Sequence, residues 1–167
     1  MTLNEFNILP IDVQKEKLFQ CCGCTLWVEN LLRQLPYESI EEMKLHSDLI
    51  WFGLERKHWL QAFTHHPKIG VIKSLEEKFA STQQWASGEQ ASVAAASHTT
   101  LINLKNGNDE YEKKFGFIFI VCATGKSAME MLHMLTQRLK NDVETEIKIA
   151  AEEKNKITHI RIDKLFV

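Results

Sequence analysis

Serines followed three residues later by a glutamate or glutamine recur along this chain, among them Ser39 with Glu42, Ser74 with Glu77, Ser87 with Gln90, and Ser127 with Glu130. That spacing is a capping box, in which hydroxyl and carboxylate or amide satisfy each other's orphan backbone donors at a helix start. Apolar residues recur at helical steps near these starts, as in Cys24, Val28, Leu31 and Leu35, and in Met131, Leu132, Leu135 and Leu139. An all-α fold is predicted, a multi-helix bundle forming one domain over residues 1–167. One segment disagrees: Phe115 to Ala123 is apolar, aromatic and β-branched, and reads as extended chain buried among helices. Two breaks are expected, a loop from Lys68 to Ser74 around Gly70 and a turn at Asn106-Gly107-Asn108-Asp109.

A formal charge of −2 leaves no basic footprint for nucleic acid. No apolar run approaches the roughly 20 residues of a membrane span, and acidic Glu5 precedes any basic residue where a signal peptide would be basic. The C-terminal Leu165-Phe166-Val167 is no peroxisomal address, so the expected location is the cytosol. Cys21, Cys22 and Cys24 crowd together while Cys122 stands apart; without a second pair at zinc spacing they read as buried free thiols.

In the last helical stretch Val143, Ile147, Ala150, Lys154, Ile157, Arg161 and Leu165 follow steps of three and four, which sets Arg161 on an apolar face. A guanidinium there must snorkel outward, pair with a carboxylate, or face an anionic ligand. Gly125-Lys126-Ser127 imitates the end of a phosphate loop, but Ile120 stands where that loop needs glycine, so a glycine turn before the Ser127 cap is expected. Glu55-x-x-His58 and Glu130-x-x-His133 repeat the pattern that holds paired metal ions in helical bundles, and a di-metal carboxylate protein is the alternative reading. The helix bearing the first pair, starting near Gly53, is cut short by Pro67, which also forces His66 out of helical geometry at the exit.

Four stretches, taken in order, are Trp59 to Gly70 (WLQAFTHHPKIG), Trp85-Ala86-Ser87-Gly88-Glu89-Gln90, Tyr111 to Phe117 running on to Ala123, and His159-Ile160-Arg161-Ile162. Together they resemble the 2-oxo-4-hydroxy-4-carboxy-5-ureidoimidazoline (OHCU) decarboxylase family over nearly the whole chain. The resemblance implies an α-helical homodimer that decarboxylates OHCU to (S)-allantoin in urate breakdown, with no cofactor and no metal. It implies catalytic roles for His66, Glu89 and Arg161. It also implies substrate contacts, largely through main-chain groups, at Pro67, Ala86, Ser87, Gly88, Gln90, Phe119, Ile120, Val121, Cys122 and Ala123. One position departs from the pattern: family members commonly carry serine where this chain has Ala86, and the neighbouring Ser87 is the candidate substitute.

Overall fold

The computed structural model describes residues 1–68 and 98–166, in which the secondary structure is helical. Eight helices are seen among these residues: α1 (Leu3–Asn7), α2 (Ile11–Cys22), α3 (Thr25–Leu32), α4 (Ile40–Phe52), α5 (Arg56–Thr64), α6 (His98–Phe115), α7 (Ala128–Arg138) and α8 (Val143–Leu165). The all-α expectation holds. Ser127 closes the full reciprocal box with Glu130, whereas Ser39 accepts the Glu42 amide while that glutamate turns to the Glu38 amide instead. A further full box, Thr2 with Glu5, opens α1; it carries the same sequence signal and was not among the four predicted. Ser74 and Ser87 lie outside the described residues.

By internal packing the chain divides into two compact units, Met1–His66 with Ala151–Val167, and Pro67–Ala150. In the first, Phe6, Leu18, Trp27, Val28, Leu31, Met43, Trp51 and Phe63 are fully or almost fully buried. Removing such surfaces from water is the main stabilising term, about 1.5–3 kcal/mol for each fully buried large aliphatic or Phe side chain. The Trp51 indole N–H donates to Ala151 O at 2.9 Å, and the Trp59 indole N–H to Trp51 O at 2.9 Å. Aromatic bulk is thereby kept inside with its polar atoms satisfied.

The second unit corrects one expectation. Asn106 to Asp109 is no turn, because α6 runs through it from His98 to Phe115. Gly107 instead lies close against α7: a Cβ there would meet Leu135 Cδ2 at 2.7 Å. Buried Asn108 donates back to Leu104 O at 2.8 Å, which satisfies its amide inside the helix. After Phe115, Gly116 (φ +78°) releases the chain into a non-helical stretch in which Phe117 and Phe119 to Cys122 are buried. The extended apolar segment is therefore present, without pairing into a strand.

Candidate active site

The exit of α5 is built against the end of α2. Gln61 fixes α5 on α3, its side-chain oxygen accepting from the Thr25 amide at 3.1 Å and its Nε2 donating to Thr25 Oγ1 at 3.0 Å. One turn later His65 caps the helix, its ring edge-on to Phe19 with centroids 5.0 Å apart. Gly23 ends α2 at φ +81°, and a Cβ there would lie 2.7 Å from the Cβ of His65. Glycine is required twice over, by backbone conformation and by close approach. His66 follows, partly buried, its amide donating to Phe63 O at 3.0 Å before exposed Pro67. The proline thus follows a helix that ended at Thr64, as expected.

Arg161 of α8 reaches the same end of α2. Its Nη1 donates to Gln20 O at 3.1 Å and to Cys21 O at 3.2 Å. None of the three sequence alternatives described this partner: the guanidinium completes orphan carbonyls at a helix C-terminus, where the helix dipole favours a cation. The end of α2 therefore meets Arg161 through the Gln20 and Cys21 carbonyls and His65, the neighbour of His66, at Gly23.

A second cation on α8 is more deeply placed than Arg161. Lys154 is fully buried, and among the described residues its Nζ has no hydrogen-bond partner. Burial pushes its pKa down to about 8, opposed by the Cys22 and Cys21 thiols and reinforced by the Arg161 guanidinium. Burial likewise pushes the Cys21 thiol up to about 11 and Cys22 up to about 12, so both are inert as nucleophiles near neutrality. The helical count marked position 154, but an ammonium wholly inside the fold could not be told from one that snorkels.

In the second unit the Phe119 to Ala123 stretch lies on a buried polar cluster that sequence reasoning missed. Arg138 donates from Nε to Glu146 Oε1 at 2.6 Å, from Nη1 to Ile120 O at 2.6 Å and from Nη2 to the Tyr111 hydroxyl at 3.3 Å. The Tyr111 hydroxyl donates to the same Glu146 oxygen, and Asn141 Nδ2 donates to Glu146 Oε2 at 2.8 Å. The Arg138 guanidinium carbon sits 4.7 Å from the Phe119 ring centroid. Burial raises the Tyr111 pKa above the usual phenol range, so its hydroxyl stays protonated and available as a donor.

The Tyr111 to Phe117 motif now has a structural content. Tyr111, Phe115, Phe117 and Phe119 form one aromatic cluster, with Tyr111 centroids 4.6, 5.8 and 5.2 Å from the other three. Lys114 Nζ donates to Leu139 O at 2.6 Å and Asn141 O at 2.9 Å, completing the end of α7. Gly125 (φ +75°) and the Ser127 cap form the predicted glycine turn, with Lys126 Nζ folded back 2.7 Å from Cys122 O.

The di-metal pairs find other partners. Glu55 precedes α5 as its cap residue and pairs with Lys57 at 2.8 Å, while Glu130 closes on the amide and hydroxyl of Ser127. Those contacts lower both carboxyl pKa values, through the Lys57 side chain at Glu55 and the Ser127 amide at Glu130. Among the described residues no group of three or more His, Cys, Asp or Glu side chains is arranged to hold a metal ion. Ala86, Ser87, Gly88, Glu89 and Gln90 lie outside the described residues.

The OHCU decarboxylase family model matches residues 7–163. The chain belongs to the OHCU decarboxylase family. Among its relatives in that family, the uric acid degradation bifunctional protein TTL of Arabidopsis thaliana is 35% identical over 159 residues. That match covers 95% of this chain and 49% of the plant protein, so the chain spans about half the length of that relative. The mouse 2-oxo-4-hydroxy-4-carboxy-5-ureidoimidazoline decarboxylase is 23% identical over 142 residues, covering 85% of this chain and 79% of the mouse protein. A crystal structure of OHCU decarboxylase in the presence of (S)-allantoin superposes with a TM-score of 0.72 at 34% identity, covering 90% of this chain and 97% of the other. A crystal structure of (S)-allantoin synthase shares the fold alone, with a TM-score of 0.73 at 16% identity over 100% of this chain and 54% of the other.

Proposed function

We propose that this OHCU decarboxylase family member removes CO₂ from OHCU and protonates the product to (S)-allantoin, working as one catalytic domain. The observation that carries the reading is the family match across residues 7–163. Arg161 supports it, a partly buried guanidinium whose Nη1 is held by the end of α2.

The chemistry needs little beyond positioning. The leaving carboxylate of OHCU sits on a carbon beside a ring C=N bond, so the electron pair of the breaking C–C bond flows into that bond and a proton completes the product. The protein holds the carboxylate out of the electron-sink plane, favours the delocalised transition state and delivers the proton to one face. His66 moves that proton, Glu89 orients the imidazole or the substrate hydroxyl, and Arg161 holds anionic oxygen. Pro67, Ala86, Ser87, Gly88, Gln90 and Phe119 to Ala123 contact the flat polar substrate, with Ser87 supplying the hydroxyl that Ala86 lacks. Because the substrate carries its own electron sink, the proposed reaction uses no cofactor and is insensitive to chelators.

The proposed setting is a cytoplasmic homodimer. No helix among the described residues is long and apolar enough to cross a membrane. The test is freshly made OHCU, which decays unaided to racemic allantoin, followed by circular dichroism with and without protein. Accelerated formation of one enantiomer, unchanged by EDTA, is the expected result. A racemic product formed at the uncatalysed rate would overturn the proposal.

A further inference from the structure

Resting on the reading that Phe119 to Ala123 meets the substrate, we infer that Arg138 and Lys126 are positioning residues that aim the Val121 and Ala123 amide N–H groups at it. The segment has no helix or strand ladder to set its peptide planes. Side-chain cations set two of them: Arg138 Nη1 holds Ile120 O at 2.6 Å, and Lys126 Nζ holds Cys122 O at 2.7 Å. Both peptides are trans. In a planar trans peptide the carbonyl and the following N–H point in opposite directions. Holding Ile120 O on Arg138 therefore turns the Val121 N–H away from that guanidinium, and holding Cys122 O on Lys126 turns the Ala123 N–H away from the ammonium. Among the described residues neither N–H has a backbone acceptor. Val121 is buried, where an amide donor without an acceptor is costly and a ligand oxygen fits.

Arg138 suits this task better than it suits stabilising the core. A buried ion pair is replaced by apolar residues of similar volume at little cost, so its value lies in specifying geometry. Its fork reaches Glu146, Tyr111 and the Ile120 carbonyl together, and Phe119 lies against its face. Glu146, whose two oxygens are filled by Arg138, Tyr111 and Asn141, holds the fork at a fixed angle. The Val121 and Ala123 amides, two residues apart in one segment, thus each offer a preorganised donor, whose ligand class is a carbonyl or carboxylate oxygen.

The experiment compares wild type with Arg138→Lys, which keeps a cation for Glu146 but cannot span Glu146 and Ile120 O as the fork does. It adds Lys126→Met at a half-buried position, with Lys126→Arg as the conservative partner. Turnover of OHCU is expected to fall about tenfold or more in kcat for Arg138→Lys, since these donors act on developing charge. Lys126→Met is expected to lose several-fold and Lys126→Arg to recover most of it, all with melting temperatures close to wild type. Titration of ¹⁵N-labelled protein with (S)-allantoin is expected to shift the Val121 and Ala123 amide resonances in wild type and to leave the corresponding resonance in place in each variant. Wild-type kcat in folded Arg138→Lys and in Lys126→Met overturns the inference; should Arg138→Lys not fold, Lys126→Met and its titration decide alone. A wild type that fails on OHCU defeats the proposed function, whereas an active wild type with unaffected variants defeats only the positioning roles.

Discussion

Arg161 and Cys21 are joined by a 3.2 Å hydrogen bond from the guanidinium Nη1 to the carbonyl oxygen, with Gln20 O sharing the same nitrogen at 3.1 Å. One terminal nitrogen thus fixes the side chain against the last turn of α2. A point charge cannot anchor through one nitrogen and present others in a plane. Arg161→Lys is therefore expected to lower kcat/KM on OHCU by about a hundredfold, within the range for losing a charged transition-state contact. The accompanying stability loss should be only about 1 kcal/mol, the worth of a helix-end cation interaction. Steady-state kinetics beside urea unfolding checks both, and near-wild-type kinetics would leave Arg161 with the α2 carbonyls as its only role.

His66 lies partly buried just past the end of α5, outside the set of buried core residues. His66→Asn is expected to reduce kcat by about 10² to 10⁴, typical for a general acid or base, with the circular dichroism spectrum of the fold preserved. An undiminished rate would remove the imidazole from the proton-transfer step.

Lys154 should make the protein less stable near neutrality than it would be with an apolar residue there. Its folded pKa, pushed down to about 8, lies below the unfolded value, so the unfolded chain holds more protons between the two. The penalty is present in full below pH 8 and is relieved as pH rises toward that of free lysine. Lys154→Met is expected to raise unfolding free energy at pH 7 by about 1–3 kcal/mol, and this gain should shrink by pH 9.5. Burial raises the Cys21 and Cys22 pKa values, an opposing trend above pH 9; Lys154 lowers both thiols, so its removal deepens that trend and shrinks the gain further as pH rises. A gain that does not vary with pH would contradict the buried-charge explanation.

Gly107 and Leu135 form a close helix-to-helix contact that a methyl group would invade, with a Cβ at 2.7 Å from Leu135 Cδ2 and 3.3 Å from its Cγ. Alanine gains up to about 1 kcal/mol in helix propensity, but Leu135 is fully buried and overpacking costs about 1–3 kcal/mol. A net loss of about 1 kcal/mol is expected for Gly107→Ala. Leu135→Val, which makes room, should recover part of it in a double-mutant cycle. Additive losses from the two changes would show that the contact is not the reason for the glycine.

The helical class, the Ser39 and Ser127 starts, the stop before Pro67 and the apolar 115–123 segment were legible in the sequence because each depends on neighbours within a few residues. So was family membership, through four motifs whose order along the chain matters. The same local reasoning misread Gly107, since a glycine beside two asparagines signals a turn unless a leucine 28 positions later needs the space. It overlooked Arg138, whose partners Tyr111, Ile120 and Glu146 come from α6, the extended segment and α8. It also could not tell that Arg161 would end on α2 carbonyls or that Lys154 would be the cation sealed inside. Local periodicity determines which face of a helix a residue occupies. Only packing against distant elements decides how deeply that face is covered and which polar groups stand opposite, and burial and electrostatic energies depend on those two quantities.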